Sequence, residues 1–67
     1  MYNKELFEQE VAIKGYSDRF ISDGIGMSYN LFEQKKHGLC EWKRSEIVAL
    51  CKFMGWGNRK LLAIFYA

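Results

Sequence analysis

The sequence predicts an all-α fold, a compact bundle of about five short helices forming one domain over residues 1–67. Three observations carry that expectation. Apolar residues recur at steps of three and four, the period of a helix buried along one face, with no sustained alternation. Glycine supplies the punctuation: the chain has no proline, no Ser/Gly-rich linker, no internal repeat and no low-complexity tract, so short turns separate the helices. Hydrophobic residues make up 49% of the chain and aromatic residues 16%, too much for a disordered tail and enough to close a core. The margin is narrow, because chains of about 60 residues bury only about 60% of their unfolded surface.

The first helix is expected over residues 3–14. Asn3 has the side-chain oxygen that caps a helix start, Leu6, Phe7, Val11 and Ile13 give the helical spacing, and Gly15 ends it. Ser17 caps a second helix over residues 18–24, which carries Phe20, Ile21 and Ile25 toward the interior. Gly26 then adopts the positive backbone dihedral most residues avoid, and the chain reverses before a third helix that starts near Met27 or Ser28 and ends at His37 and Gly38. Leu31 and Phe32 point inward with Met27. Ser28, Tyr29, Asn30, Glu33, Gln34 and His37 lie on or near the opposite, polar face. After a loop over residues 39–43, Ile47, Leu50, Cys51 and Met54 mark a fourth helix capped by Ser45 or its predecessors and ended by Gly55. Residues 58–67 form a short fifth helix through Leu61, Leu62, Ile64, Phe65 and Tyr66; a strand over 61–66 is the weaker reading, since the doublets fit a three-and-four spacing and no turn supplies a hairpin partner.

Composition also excludes several functions. No apolar run approaches the roughly 20 residues that cross a bilayer, and Met-Tyr-Asn-Lys-Glu lacks the basic-then-apolar pattern of a secretion signal, so no membrane partner and a cytoplasmic location are expected. Only His37, Cys40 and Cys51 could gather around a metal, and none has zinc-site spacing; reduced thiols and no metal or other cofactor are expected. The single histidine has no nucleophile at a recognisable spacing and there is no phosphate-cradling Gly-rich loop, so neither catalysis nor a small-molecule substrate is expected. The net charge of +2 is modest, but residues 1–34 carry −3 and residues 35–67 carry +5. Any contact with phosphate belongs near Lys35, Lys36 and His37 and downstream of them.

Two helices joined by a short glycine-containing turn form a helix-turn-helix, in which the first member props the second outward. A polar third helix of about 15 Å then projects from a core too small for a deep pocket, and such a rod fits a DNA major groove roughly 12 Å wide. At this point the segment GYSDRFISDGIGMSYNLFEQKKHG resembles the helix-turn-helix of small phage repressors of the Cro and Xre type. In that family a GYT-x-x-x-LA-x-x-LGIS-x-x-TF-x-x-K-x-x-G pattern recurs. EWKRSEIVALCKFMGW followed by LLAIFYA is similar to the C-terminal half of short Cro-like regulators of Gram-positive phages and prophages, so the resemblance covers residues 6–67. It implies a lambda-repressor-like DNA-binding domain, a transcriptional repressor of the bacterial host cytosol and nucleoid, and a double-stranded DNA operator as partner. Three positions depart from the pattern: Ser22 replaces the usual alanine and needs a hydrogen-bond partner, Gly24 replaces a helix former, and Lys35 replaces an apolar residue, which predicts a more exposed end to the third helix.

The resemblance places Ser28, Tyr29, Asn30, Glu33 and Gln34 against base edges, and helical spacing independently groups them. Asn30 and Gln34 offer the paired donor and acceptor that suit adenine, Glu33 can accept from cytosine, and Tyr29 or Ser28 can instead hold a phosphate. Lys35, Lys36, His37, Lys43 and Arg44 stand where relatives run beside the DNA backbone, and Ser17 and Arg19 at the second helix are further phosphate candidates. Glu5, Glu8 and Glu10 are expected on the far side. Trp42 and Trp56 read either as core anchors or as members, with Leu61, Phe65 and Tyr66, of an exposed patch for the homodimer that a reader of two half-sites requires. The rival reading is a protein-interaction module, a phage antirepressor or inhibitor that reuses the same fold.

Overall fold

Five helices form where the capping signals allow, and the computed structural model describes all of residues 1–67: α1 Lys4–Lys14, α2 Asp18–Gly24, α3 Tyr29–Lys36, α4 Arg44–Met54 and α5 Asn58–Phe65. The fold is all-helical. Three starts are capped by a side-chain oxygen that accepts an otherwise orphaned backbone N–H: Asn3 Oδ1 from Leu6 at 3.1 Å, Ser17 Oγ from Phe20 at 3.1 Å and Ser28 Oγ from Leu31 at 3.2 Å. Each such cap contributes about 1 kcal/mol. At the start of α4 the cap residue is Lys43, one of the expected predecessors of Ser45, which itself lies inside the helix. There the Glu46 carboxylate reaches back to accept the Lys43 backbone N–H at 2.8 Å.

The core is built around an aromatic cluster. Phe7 is fully buried at the centre, with the rings of Tyr2, Phe32, Trp42, Trp56 and Phe65 at centroid distances of 5.8 to 6.4 Å. Ile21, Leu50, Met54 and Ile64 are also fully or almost fully buried and supply the aliphatic half. Each contributes roughly 1.5–3 kcal/mol by leaving water. The ends of the chain are tied together: the Asn3 N–H donates to Ile64 O at 2.6 Å, and the Met1 ammonium donates to Ala67 O at 2.9 Å. The Tyr2 hydroxyl donates to Lys36 O at 2.9 Å, which gives a carbonyl at the end of α3 a partner; burial pushes this phenol's pKa well up.

Several side chains differ from the periodic reading. Phe20 is 53% exposed and Leu31 37%, although both were expected inside. The face α3 buries is set by Phe32 and Lys35, three residues apart, and Leu31 falls on its flank. Phe20 instead joins a surface cluster with Tyr16 and Phe53, at centroid distances of 4.9 and 5.5 Å. Ile13 is likewise exposed. The hydroxyl that Ser22 brings into the core donates to Arg19 O at 3.0 Å and so is satisfied. Gly24 answers to packing, since a Cβ there would sit 2.3 Å from the Phe53 ring. No helix is long and apolar enough to cross a membrane.

Candidate functional site

α2 and α3 pack against each other across residues 25–28. Gly26 sits at φ 71°, and the Met27 N–H donates to Ser22 O at 2.9 Å, folding the turn back onto α2. The buried Met27 and Ile21 fill the joint, and α3, about 12 Å long, presents its other face to solvent.

On that face Asn30 and Gln34 are exposed and one turn apart, which places their Cβ atoms about 5–6 Å from each other. The two amides can therefore address neighbouring donors and acceptors. Gln34 Oε1 accepts from the Cys40 thiol at 3.4 Å, which leaves its amide N–H groups free to point away. Ser28 is exposed, but its hydroxyl is the α3 cap. Tyr29 is half-buried, with the Arg19 guanidinium over its ring at 4.4 Å from the centroid. The exposed Leu31 lies beside these polar groups.

Glu33 turns away from open solvent toward α2. The neighbouring Asp18 carboxyl together with burial pushes the Glu33 pKa up. Asp18 moves the other way: burial opposes the shift, but the interactions with Glu33 and Lys36 outweigh it and hold the carboxyl below its usual range. Lys36 Nζ lies 2.8 Å from Asp18 Oδ2; this carboxylate, with Glu33 and Glu8 nearby, raises the lysine pKa against the effect of burial. His37 Nε2 is 3.6 Å from Glu33 Oε1, and Glu33 Oε2 is buried without a partner.

Lys35 overturns an expectation. The end of α3 is less exposed there, because Lys35 is only 4% exposed and its ammonium pairs with Glu46 across α3 and α4. Burial works against the Glu46 carboxylate, but Lys35 and the Lys43 amide outweigh it and hold its pKa below the usual range. Of the seven residues assigned to phosphate, Lys35 and Lys36 are thus committed to carboxylates, exposed His37 faces Glu33, and the Ser17 hydroxyl caps α2. Arg19, Lys43 and Arg44 are exposed and have no carboxylate within 4.0 Å.

The remaining assignments divide as well. Glu10 pairs with Lys60 at 2.9 Å, and Glu5 and Glu8 are exposed on α1. Trp56 and Phe65 are buried in the aromatic core and cannot belong to an exposed patch. Trp42 and Leu61 are half-buried against that core, leaving Tyr66 as the exposed member of the set. Beside Tyr66 a shallow apolar cleft of about 400 Å³ is lined by Tyr2, Cys40, Trp42, Ile47 and Phe65. No three His, Cys, Asp or Glu side chains gather as a metal site, and Cys40 and Cys51 are free thiols. Sequence reasoning missed the Arg19–Tyr29 stack and the Asp18 contacts, which join residues ten to eighteen positions apart and leave no periodic trace.

No protein-family model, curated protein or solved structure matches the chain.

Proposed function

We propose that this chain is a sequence-specific double-stranded DNA-binding transcriptional regulator of the Cro-like kind, in which α2 and α3 form a helix-turn-helix and α3 enters the major groove. One observation carries the reading: α3 presents the exposed amides of Asn30 and Gln34 on one face, Gln34 with its N–H groups free, and the exposed cations Arg19, Lys43 and Arg44 have no carboxylate partners. The amides have the geometry for adenine edges and the free cations suit backbone phosphates. Ser28 acts chiefly as a cap, and Glu33 is drawn toward Asp18, so base reading falls on Asn30 and Gln34. Two half-sites read by a homodimer would lie about 34 Å apart or a multiple of that, with Tyr66 and the cleft beside it as the available apolar surface. A phage or prophage repressor acting in the host cytoplasm on an operator is the biological role this reading entails.

The rival reading, an antirepressor or inhibitor that docks α3 on another protein, is favoured by the exposed Leu31 and by the neutralised lysines at the end of α3. Salt separates the two. A regulator with three or more phosphate contacts loses affinity for a duplex with a log–log slope of about −0.9 per contact, whereas an apolar protein interface is nearly indifferent. Fluorescence anisotropy with a duplex enriched from a random pool, at about 50 and 200 mM salt, is expected to show a slope near −3. Failure of the pool to enrich, or binding that ignores salt, contradicts the proposal.

A further inference from the structure

We infer that Tyr29 is a positioning residue, a platform that holds the Arg19 guanidinium against a DNA backbone phosphate, and does not itself read bases. The inference rests on the DNA-binding reading above. Arg19 lies in the first turn of α2 and Tyr29 is the first residue of α3, so the stack spans the turn between them, with the guanidinium carbon 4.4 Å from the ring centroid. Tyr29 is half-buried, while Arg19 is exposed. Asp18, its chain neighbour, does not take the charge because Lys36 occupies that carboxylate at 2.8 Å. The cation therefore lies over the ring, and its N–H edge donates to no protein acceptor.

That edge is the part of arginine that donates two parallel hydrogen bonds to a phosphate. When the second helix of such a pair enters the groove, the first crosses the backbone. Arg19 then meets a phosphate and not a base. Holding the guanidinium before contact lowers the rotamer freedom lost on binding, the usual advantage of a preorganised donor.

Three variants separate this role from the alternatives: Tyr29→Phe keeps the ring, Tyr29→Leu removes it, and Arg19→Met removes the charge. The readout is anisotropy of a labelled mixed-sequence duplex and of a pool-enriched duplex across salt. Tyr29→Phe is expected to match the wild type in affinity, base preference and salt slope. Tyr29→Leu weakens both duplexes about two- to fivefold, the worth of an exposed cation–π contact. Arg19→Met flattens the slope by about one ion, and adding Tyr29→Leu to it costs nothing more. In the free protein, ring currents shift the Arg19 side-chain methylene resonances upfield in the wild type and in Tyr29→Phe but not in Tyr29→Leu. Loss of affinity or altered base preference in Tyr29→Phe overturns the inference, because the hydroxyl would then be the working group; so do multiplying losses in the double variant or unshifted Arg19 resonances. Shifted resonances in a wild type that binds neither duplex would instead refute the DNA reading, and with it the phosphate role.

Discussion

Replacing Lys35 with methionine removes a charge without removing its packing volume, and the structure sets the size of the response. The Lys35 side chain is 4% exposed and that of Glu46 18%, so the substitution leaves a mostly buried carboxylate without its ammonium. Orphaning a buried charge costs about 3–5 kcal/mol when nothing else compensates. Glu46 retains the Lys43 amide at 2.8 Å and a little water, which brings the expected loss to about 1–3 kcal/mol. For a domain of this size that is a fall of roughly 5–20 °C in Tm, a large share of the roughly 3–10 kcal/mol such a chain holds. Thermal melts followed by circular dichroism measure it directly. Adding Glu46→Gln to Lys35→Met neutralises the orphan and is expected to return Tm to near the wild-type value. Acid provides a second check: a carboxylate with a depressed pKa stabilises the fold above its unfolded value of about 4.3 and loses that contribution as pH falls through the folded value. The gap between wild type and Lys35→Met is therefore full at neutral pH and closes in strong acid. Wild-type stability in Lys35→Met, together with a duplex-binding slope flatter by one ion, would refute the reasoning and return Lys35 to the phosphate contacts.

Glu33→Gln tests the Asp18 contact. A raised Glu33 pKa contributes stability that is complete below the unfolded value of about 4.3 and is lost as pH rises through the folded value, so the wild type should soften across that window and Glu33→Gln should not; parallel pH profiles would contradict it. Asp18 has the opposite sign, and its contribution disappears only as pH falls below about 3.9 toward its depressed folded value. Gly24→Ala should lower Tm by several degrees: a Cβ 2.3 Å from the Phe53 ring costs about 1–3 kcal/mol in overpacking, more than the up to 1 kcal/mol alanine gains as a helix former. A raised Tm would show that Phe53 moves aside freely. Removing both Lys43 and Arg44 charges should flatten the salt slope of duplex binding by about two ions, while Lys60→Met leaves it unchanged; equal effects would mean that net charge matters and position does not.

Much of the architecture is written locally. Asn3, Ser17 and Ser28 mark helix starts because a short side-chain oxygen can reach a backbone N–H three residues on, and Gly15, Gly26 and Gly55 mark reversals because each adopts a positive φ. The exposed amides of Asn30 and Gln34 were legible for the same reason, as residues one turn apart on a face opposite Phe32. Tertiary choices were not. Which of the adjacent Lys35 and Lys36 turns inward depends on the face that Phe32 buries, and the three-residue step from Phe32 to Lys35 was the available clue. Gly24 reads as a weak helix end until Phe53, far along the chain, supplies the ring that requires it. Trp42 and Trp56 lie outside the helices, where no periodicity assigns a face, and only the packing around Phe7 places them.

The central claim is that the amide pair on α3 distinguishes one duplex from another. Its most direct measurement is the ratio of affinities for a pool-enriched duplex and an unrelated one, in wild type and in the double variant Asn30→Ala/Gln34→Ala at fixed salt. The predicted ratio for the variant approaches one, with weak binding to the unrelated duplex preserved and a loss of about 1–3 kcal/mol of discrimination per amide. An unchanged ratio, or an equal loss of affinity for both duplexes, contradicts it.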